Sequence, residues 1–381
     1  MFKWRSRELI VLILIAGCIR APLTSLSPQI NQIREDLGIS VSLFGFLTSI
    51  PVICFAIAAP LPYTKLFRRI SNELLIVLSL FILGFATISR SIGNSTNVFI
   101  ATIILGIAIA ILNVVTPAIV RRDYPTKITV IMPIYSATLA LVASAAAGFS
   151  IPISRFFHDS WRIGIGIWAL LPLITGLLWI PVLRKAKPQP NSPVSHWKTL
   201  LRSKSAWMVT LYMGLQSTLF YAQIAWLPKM LMDQGYSEVR AGALLGFTTF
   251  SGFIFTFALP LLFGRGSNQK NSILLTAIPG IFGFAGLQYL NTGWTIPSLV
   301  LVSATHAALP VALGLIAMKS PTPEQTGHLS AMAQGIGYGL TAIFPVGFGL
   351  LYQATNSWTI VINILIGICV IQAVIGLRAN R

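Results

Sequence analysis

Cys18-Ile19-Arg20-Ala21-Pro22-Leu23-Thr24-Ser25-Leu26-Ser27-Pro28 lies inside an apolar run over residues 8–30. A run of that length and character spans a membrane, and Arg20 stands near its middle. A charge at that depth is costly, so it marks an ion or solute pathway by default. Pro22, two residues on, has no backbone N–H and disturbs the helix beside the charge. Snorkelling is difficult from about twelve residues into a span, ~18 Å by helix rise. A fixed cation beside a distorted helix suits an anion or an electron-rich polar solute.

The whole chain shares the apolar character of this stretch. Mean hydropathy is +0.79 and only 9% of the 381 residues are charged, outside the range of a soluble domain. There is room for about twelve spans of ~20 residues. The net charge of +18 does not indicate a nucleic-acid surface, because the basic residues gather at span ends, as cytoplasmic anchors do. Cys18, Cys54 and Cys369 all fall within spans, so neither a disulfide framework nor a metal cluster is expected. Lys3, Arg5 and Arg7 before an apolar run ending at Cys18 imitate a lipoprotein signal. The run continues past Cys18, so it is read as a retained first span.

Apolar runs and breakers place spans at 8–30, 41–62, 73–91, 96–120, 128–154, 162–183, 205–230, 239–263, 272–290, 294–318, 326–352 and 357–378. The expected organisation is an N-terminal half over 1–184, a polar Pro-rich cytoplasmic linker over 185–204 and a C-terminal half over 205–381. With the N-terminus inside, 20 Lys and Arg fall on inside segments and 6 (Arg34, Arg90, Arg155, Arg162, Lys229 and Arg240) on outside segments or their rims. Both termini are therefore expected in the cytoplasm, in a multi-pass protein of the inner membrane.

The halves repeat. Phe55-Ala-Ile-Ala-Ala-Pro60-Leu61 recurs as Phe255-Thr-Phe-Ala-Leu-Pro260-Leu261. Pro28 followed by Asp36-Leu-Gly-Ile-Ser40 is echoed by Pro228 followed by Asp233-Gln-Gly-Tyr-Ser237. Asp159-Ser-Trp161 has its counterpart in Asn356-Ser-Trp358. Two six-span halves in parallel relation imply a pseudo-two-fold axis along the membrane normal, with a solute site between them near mid-depth. That is a transporter architecture.

Polar side chains at mid-span face a cavity or another helix. Asn113 with Pro117 in the fourth span and His306 with Pro310 in the tenth both read polar-x-x-x-Pro. The seventh span carries Tyr212, Gln216 and Tyr221; the eleventh carries Gln334 and Tyr338, on one helical face. For Asn113, Gln216 and Gln334 the competing reading is an interhelical hydrogen bond worth roughly 0.6 kcal/mol. His306 is either a neutral packing partner or a proton carrier.

All nine carboxylates fall at span ends or in loops. None is available to neutralise Arg20 or to act as the acid of a cation/proton exchanger, which disfavours cationic substrates. Gly337-Tyr338-Gly339 imitates a potassium filter but lies in a helix-length run. No Walker sequence and no nucleophile–base–acid set is found, so neither a primary pump nor an enzyme is expected, and no cofactor.

Ile19-Arg20-Ala21-Pro22-Leu23-Thr24-Ser25, Arg121-Arg122-Asp123-Tyr124-Pro125, Gly214-Leu215-Gln216-Ser217, Phe220-Tyr221 with Trp226-Leu227-Pro228, and Leu329-Ser-Ala-Met-Ala-Gln334 with Gly337-Tyr338 form an ordered set. From first span to last, this set resembles the cyanate/2-nitroimidazole transporter family of the major facilitator superfamily. The resemblance implies an all-α membrane protein of twelve transmembrane helices in two pseudo-symmetric six-helix halves. It also implies alternating access and transport of small anions or small polar heterocycles. The superfamily's loop signature between the second and third spans is partial: Arg68-Arg69 are present, but no acidic residue lies between Pro60 and Arg68.

The expectation is a secondary transporter of a small, cyanate-like anion. Arg20 is the charge anchor, Gln216, Tyr221, Gln334 and Tyr338 orient the solute, and Asn113 and His306 come next. Alternatives are a carrier of a neutral 2-nitroimidazole-like heterocycle, or a membrane receptor that does not transport. The lipid bilayer and the small solute are the expected partners, with protons as the candidate coupling ion and a monomer sufficient.

Overall fold

In a computed structural model the described residues, 2–58, 61, 70–124, 128–185, 197–263, 269–320 and 323–380, form helices and no strand. Eleven segments have the length and apolar composition to cross a membrane: Glu8–Leu37, Val41–Ala58, Asn72–Ile92, Ser95–Val120, Ile134–Phe156, Trp161–Arg184, Glu238–Ala258, Lys270–Tyr289, Thr292–Met318, Gln325–Thr355 and Thr359–Ala379. The helix Lys204–Asp233 completes the twelve. Its Thr210, Gln216, Ser217, Thr218 and Gln223 lower its hydropathy, yet all are buried. A helix shielded on every side by other helices can carry these groups where a lipid-facing one could not. Most of the expected linker, and the Arg68-Arg69 loop, lie outside the described residues.

Lipid tails are as apolar as leucine, so hydrophobicity alone does not drive spans together; close packing and internal hydrogen bonds do. Across the two halves the fifth span packs on the eighth and the second on the eleventh. A six-span shift turns the second-with-eleventh pair into the eighth-with-fifth pair, as a two-fold axis requires.

The repeat is visible in hydrogen bonds. Trp161 Nε1 donates to Asp36 Oδ2 at 3.0 Å, and Trp358 Nε1 donates to Asp233 Oδ2 at 2.8 Å. Each aspartate ends a helix just before a glycine of positive φ, Gly38 at 62° and Gly235 at 93°. Only glycine turns the chain there without strain. Each carboxylate also has a basic partner, Arg162 for Asp36 at 2.7 Å and Lys229 for Asp233. These bonds tie the first span to the sixth and the seventh to the twelfth at the end of the bundle opposite the chain termini, here called the far end. At the terminal end Arg122 bridges Glu73 and Asp123. Asp123 first, and then Glu73, raises the guanidinium pKa above its ordinary value.

Trp161→Phe and Trp358→Phe each remove one donor and leave the carboxylate its basic partner. Each is expected to cost about 1–2 kcal/mol, and the double variant the sum, since the sites share no partner. Thermal unfolding of the purified single and double variants checks both magnitude and additivity.

Candidate functional site

Two breaks set the site. The first helix, Phe2–Thr24, contains Pro22 and passes through a 3-10 turn at Ser27–Gln29 before continuing as Ile30–Leu37. The tenth span is interrupted by a 3-10 turn at Ala304–Ala307, four residues ahead of Pro310. The ring of Pro310 collides with the carbonyl of residue 306 in a regular helix, so the break falls at His306. Pro117, at the matching place in the fourth span, is carried inside an unbroken helix, Ser95–Asp123.

Arg20 and His306 face one central cavity of about 180 Å³. The seventh span supplies Gln216, Ser217, Phe220 and Tyr221, and the eleventh supplies Tyr338. Thr249, Gly252 and Thr256 come from the eighth span, and Ser136 and Ala143 from the fifth. Ser136, Thr256 and Leu313 carry the cavity to within about two helical turns of the terminal end.

The far end is shut. There Asn31 Nδ2 and Gln32 Nε2 donate across the halves to Glu238 Oε1 and Oε2 at 3.2 and 3.3 Å. Phe44 lies against Trp226, ring centroids 6.1 Å apart. A Cβ on Gly45 would sit 2.5 Å from the Pro345 carbonyl oxygen, so only glycine lets the second and eleventh spans meet there.

Arg20 Nη1 donates to the Tyr221 hydroxyl at 3.2 Å, and its Cζ lies 5.0 Å from the centre of the Phe220 ring. Among the described residues no carboxylate forms an ion pair with it. A desolvated cation–π contact contributes about 2 kcal/mol, and a hydrogen bond from a charged donor about 1.5–3. Their sum, about 3.5–5 kcal/mol, covers the ~2.5–3.5 kcal/mol that insertion scales assign to a mid-span arginine. The empty protein can therefore hold Arg20, and its positive charge stays uncancelled.

His306 is held by a residue the sequence reading missed. Gln223, 3% exposed, donates Nε2 to the Leu219 carbonyl at 2.9 Å and to Thr305 Oγ1 at 3.1 Å. Both amide hydrogens are thus spent, and Oε1 accepts from His306 Nε2 at 3.1 Å. Neutral His306 then carries its proton on Nε2 and a lone pair on Nδ1. A Cβ on Gly252 would fall 2.1 Å from that Nδ1, so the ring occupies the space a larger residue would take. The signal for Gln223 was present: Gln216, Phe220 and Gln223 fall at i, i+4 and i+7, one helical face.

Of the seven expected residues, Arg20, Gln216, Tyr221, His306 and Tyr338 line the cavity together. Asn113 and Gln334 are not among its lining. Gln334 sits one turn from Tyr338 toward the terminal end, where its Nε2 donates to Ser330 Oγ at 2.8 Å. Asn113 is in the fourth span, which packs chiefly on the second and third. The cavity is displaced toward the C-terminal half, so it takes in His306 and leaves its counterpart Asn113 out.

Arg90, expected at an outer rim, is 1% exposed and donates Nη2 to the Pro22 carbonyl at 2.8 Å. The third span tucks its last turn against the end of the first helix, at Pro22, and that places Arg90 inside.

The sequence model for the Major Facilitator Superfamily matches residues 12–345. The chain belongs to the major facilitator superfamily. Three bacterial transporters are similar to it over nearly their whole length. "Uncharacterized transporter YycB" of Bacillus subtilis (strain 168) is 33% identical over 97% of this chain and 92% of its own. The "2-nitroimidazole transporter" of Escherichia coli (strain K12) is 27% identical over 97% and 94%. "Cyanate transport protein CynX" of the same organism is 25% identical over 92% and 91%. The solved structure of a D-xylose-proton symporter superposes with a TM-score of 0.74 at 15% identity, covering 98% of this chain and 96% of the other, and shares its fold. This superfamily member is thus a multi-pass membrane transporter.

In this transporter Gly252→Ala is expected to push His306 off Gln223 and lower the thermal midpoint. Gly367→Ala, where an added Cβ meets nothing within 4 Å, is expected to hold or raise it by helix propensity, ~1 kcal/mol at most. Melting curves of the two variants beside wild type check the pair.

Proposed function

We propose that this transporter carries a small monovalent anion of the cyanate kind across the cytoplasmic membrane by alternating access, with Arg20 as charge anchor. The observation that carries the reading is the guanidinium at the cavity wall, held by a phenol and a ring face and paired with no carboxylate among the described residues. Tyr221, Gln216 with Ser217, and Tyr338 offer hydroxyl and amide groups around it. The similarity to the cyanate transport protein supports the same class. The charge count puts both termini in the cytoplasm. The far end is then the outer side, and the cavity reaches toward the inside. His306 Nδ1 is the group through which a proton would couple.

A second reading keeps the fold and changes the solute to a single-ring heterocycle. It is favoured by volume and lining. About 180 Å³ bounded by Phe220, Tyr221, Phe253 and Tyr338 exceeds what a three-atom anion fills, and an apolar cavity of about 150 Å³ accepts benzene. The similarity to the 2-nitroimidazole transporter points the same way.

Thermal stabilisation by cyanate and by 2-nitroimidazole, in wild type and Arg20→Gln, separates the two. Bound ligand at a hundredfold excess over its dissociation constant stabilises by ~2.7 kcal/mol. Under the anion reading cyanate raises the wild-type midpoint, the rise vanishes in Arg20→Gln, and proteoliposomes show saturable cyanate flux that the variant lacks. Stabilisation by 2-nitroimidazole alone, retained in Arg20→Gln, overturns it in favour of the heterocycle.

A further inference from the structure

Arg90 has no role in the site above, and its surroundings are unusual. Its Nη2 closes the Pro22 carbonyl, one of those left open where the first helix ends at Thr24, a task any neutral donor performs as well. The guanidinium brings five donors and a full charge instead. Its Nε is buried with no hydrogen-bond partner, and among the described residues no carboxylate forms an ion pair with it. Burying a charge that way is costly unless something pairs with it.

A small chamber adjoins the guanidinium, with a volume of about 20 Å³ and walls that include Thr48, Thr102, Leu47 and Pro22. That holds one water or one halide-sized ion, since a water needs about 10–15 Å³ measured this way. Tyr221 also lines this chamber, and it lines the central cavity too, where its hydroxyl accepts from Arg20. Two guanidinium groups, that of Arg90 buried and that of Arg20 half-buried, therefore stand in adjoining chambers with one tyrosine between them. Pro22, Leu47, Thr48, Arg90 and Thr102 belong to the first six spans and Tyr221 to the seventh. The chamber thus straddles the seam between the halves, on the far-end side of Arg20.

We propose that Arg90 is a second anion-binding station, where a small monovalent anion rests between the far end and Arg20, with Tyr221 as the partition. The direction of travel rests on the anion reading of the central cavity; the existence of the station does not.

Fluoride, a halide small enough for the chamber, is the probe, because its 19F resonance reports its surroundings. It is titrated into purified wild type, Arg20→Gln, Arg90→Gln and Arg90→Lys. Two protein-bound components are expected, one lost in Arg20→Gln, the other lost in Arg90→Gln and shifted but present in Arg90→Lys. A component that survives Arg20→Gln and disappears in Arg90→Gln supports the station even where central binding fails. A single component removed by Arg20→Gln and untouched by Arg90→Gln overturns the station and leaves the central reading standing. No bound component overturns the station. Should Arg90→Gln not fold, the lysine variant decides: a shifted second component supports the station, an unshifted spectrum overturns it.

Discussion

A positive charge in the middle of an apolar bundle, with no carboxylate among the described residues paired to it, is the constraint from which the site is built. Arg20 is kept in place by a phenol oxygen and an aromatic face, contacts strong enough to offset its burial and unable to cancel its sign. Around it the helices supply what a membrane interior otherwise lacks. The breaks after Thr24 and ahead of Pro310 give irregular backbone where it is enclosed by protein rather than lipid. The seventh span is polar because it is enclosed. The far end is shut by glycine-close packing and by amides bonded to Glu238, while the cavity reaches toward the other end.

Much of this was legible in the residues. Span positions followed from hydropathy, since the bilayer demands long apolar runs and closes off other backbone solutions. The repeat was legible because it was written in turn residues. Asp36 and Asp233 precede glycines that must take positive φ, and Trp161 and Trp358 return to those same carboxylates. Arg20 stood out on energetic grounds alone.

What could not be read was the direction in which polar groups turn. Gln334 and Tyr338 share a helical face, yet one turn of height separates a residue bonded to Ser330 from one lining the cavity. Asn113 and His306 occupy matching positions, but pseudo-symmetry of helices is not symmetry of the space between them. Gln223 shares a helical face with Gln216 and Phe220, but that spacing does not say what it bonds; only the ring of His306 gives it meaning. Arg90 sits at the end of a span in sequence and in the interior in three dimensions, because a tilted helix end can be covered by its neighbour.

The contact between Arg20 and Tyr221 joins the first span to the seventh, one from each half. It is therefore a clasp as well as part of a binding wall. On the proposed reading, a solute that takes the guanidinium for itself unfastens the halves from each other, whereas without it they stay fastened by their own side chains. Loaded and vacant forms then face unequal barriers to reorientation, and a protein so built turns over faster when solute is offered on both sides than when it must return empty.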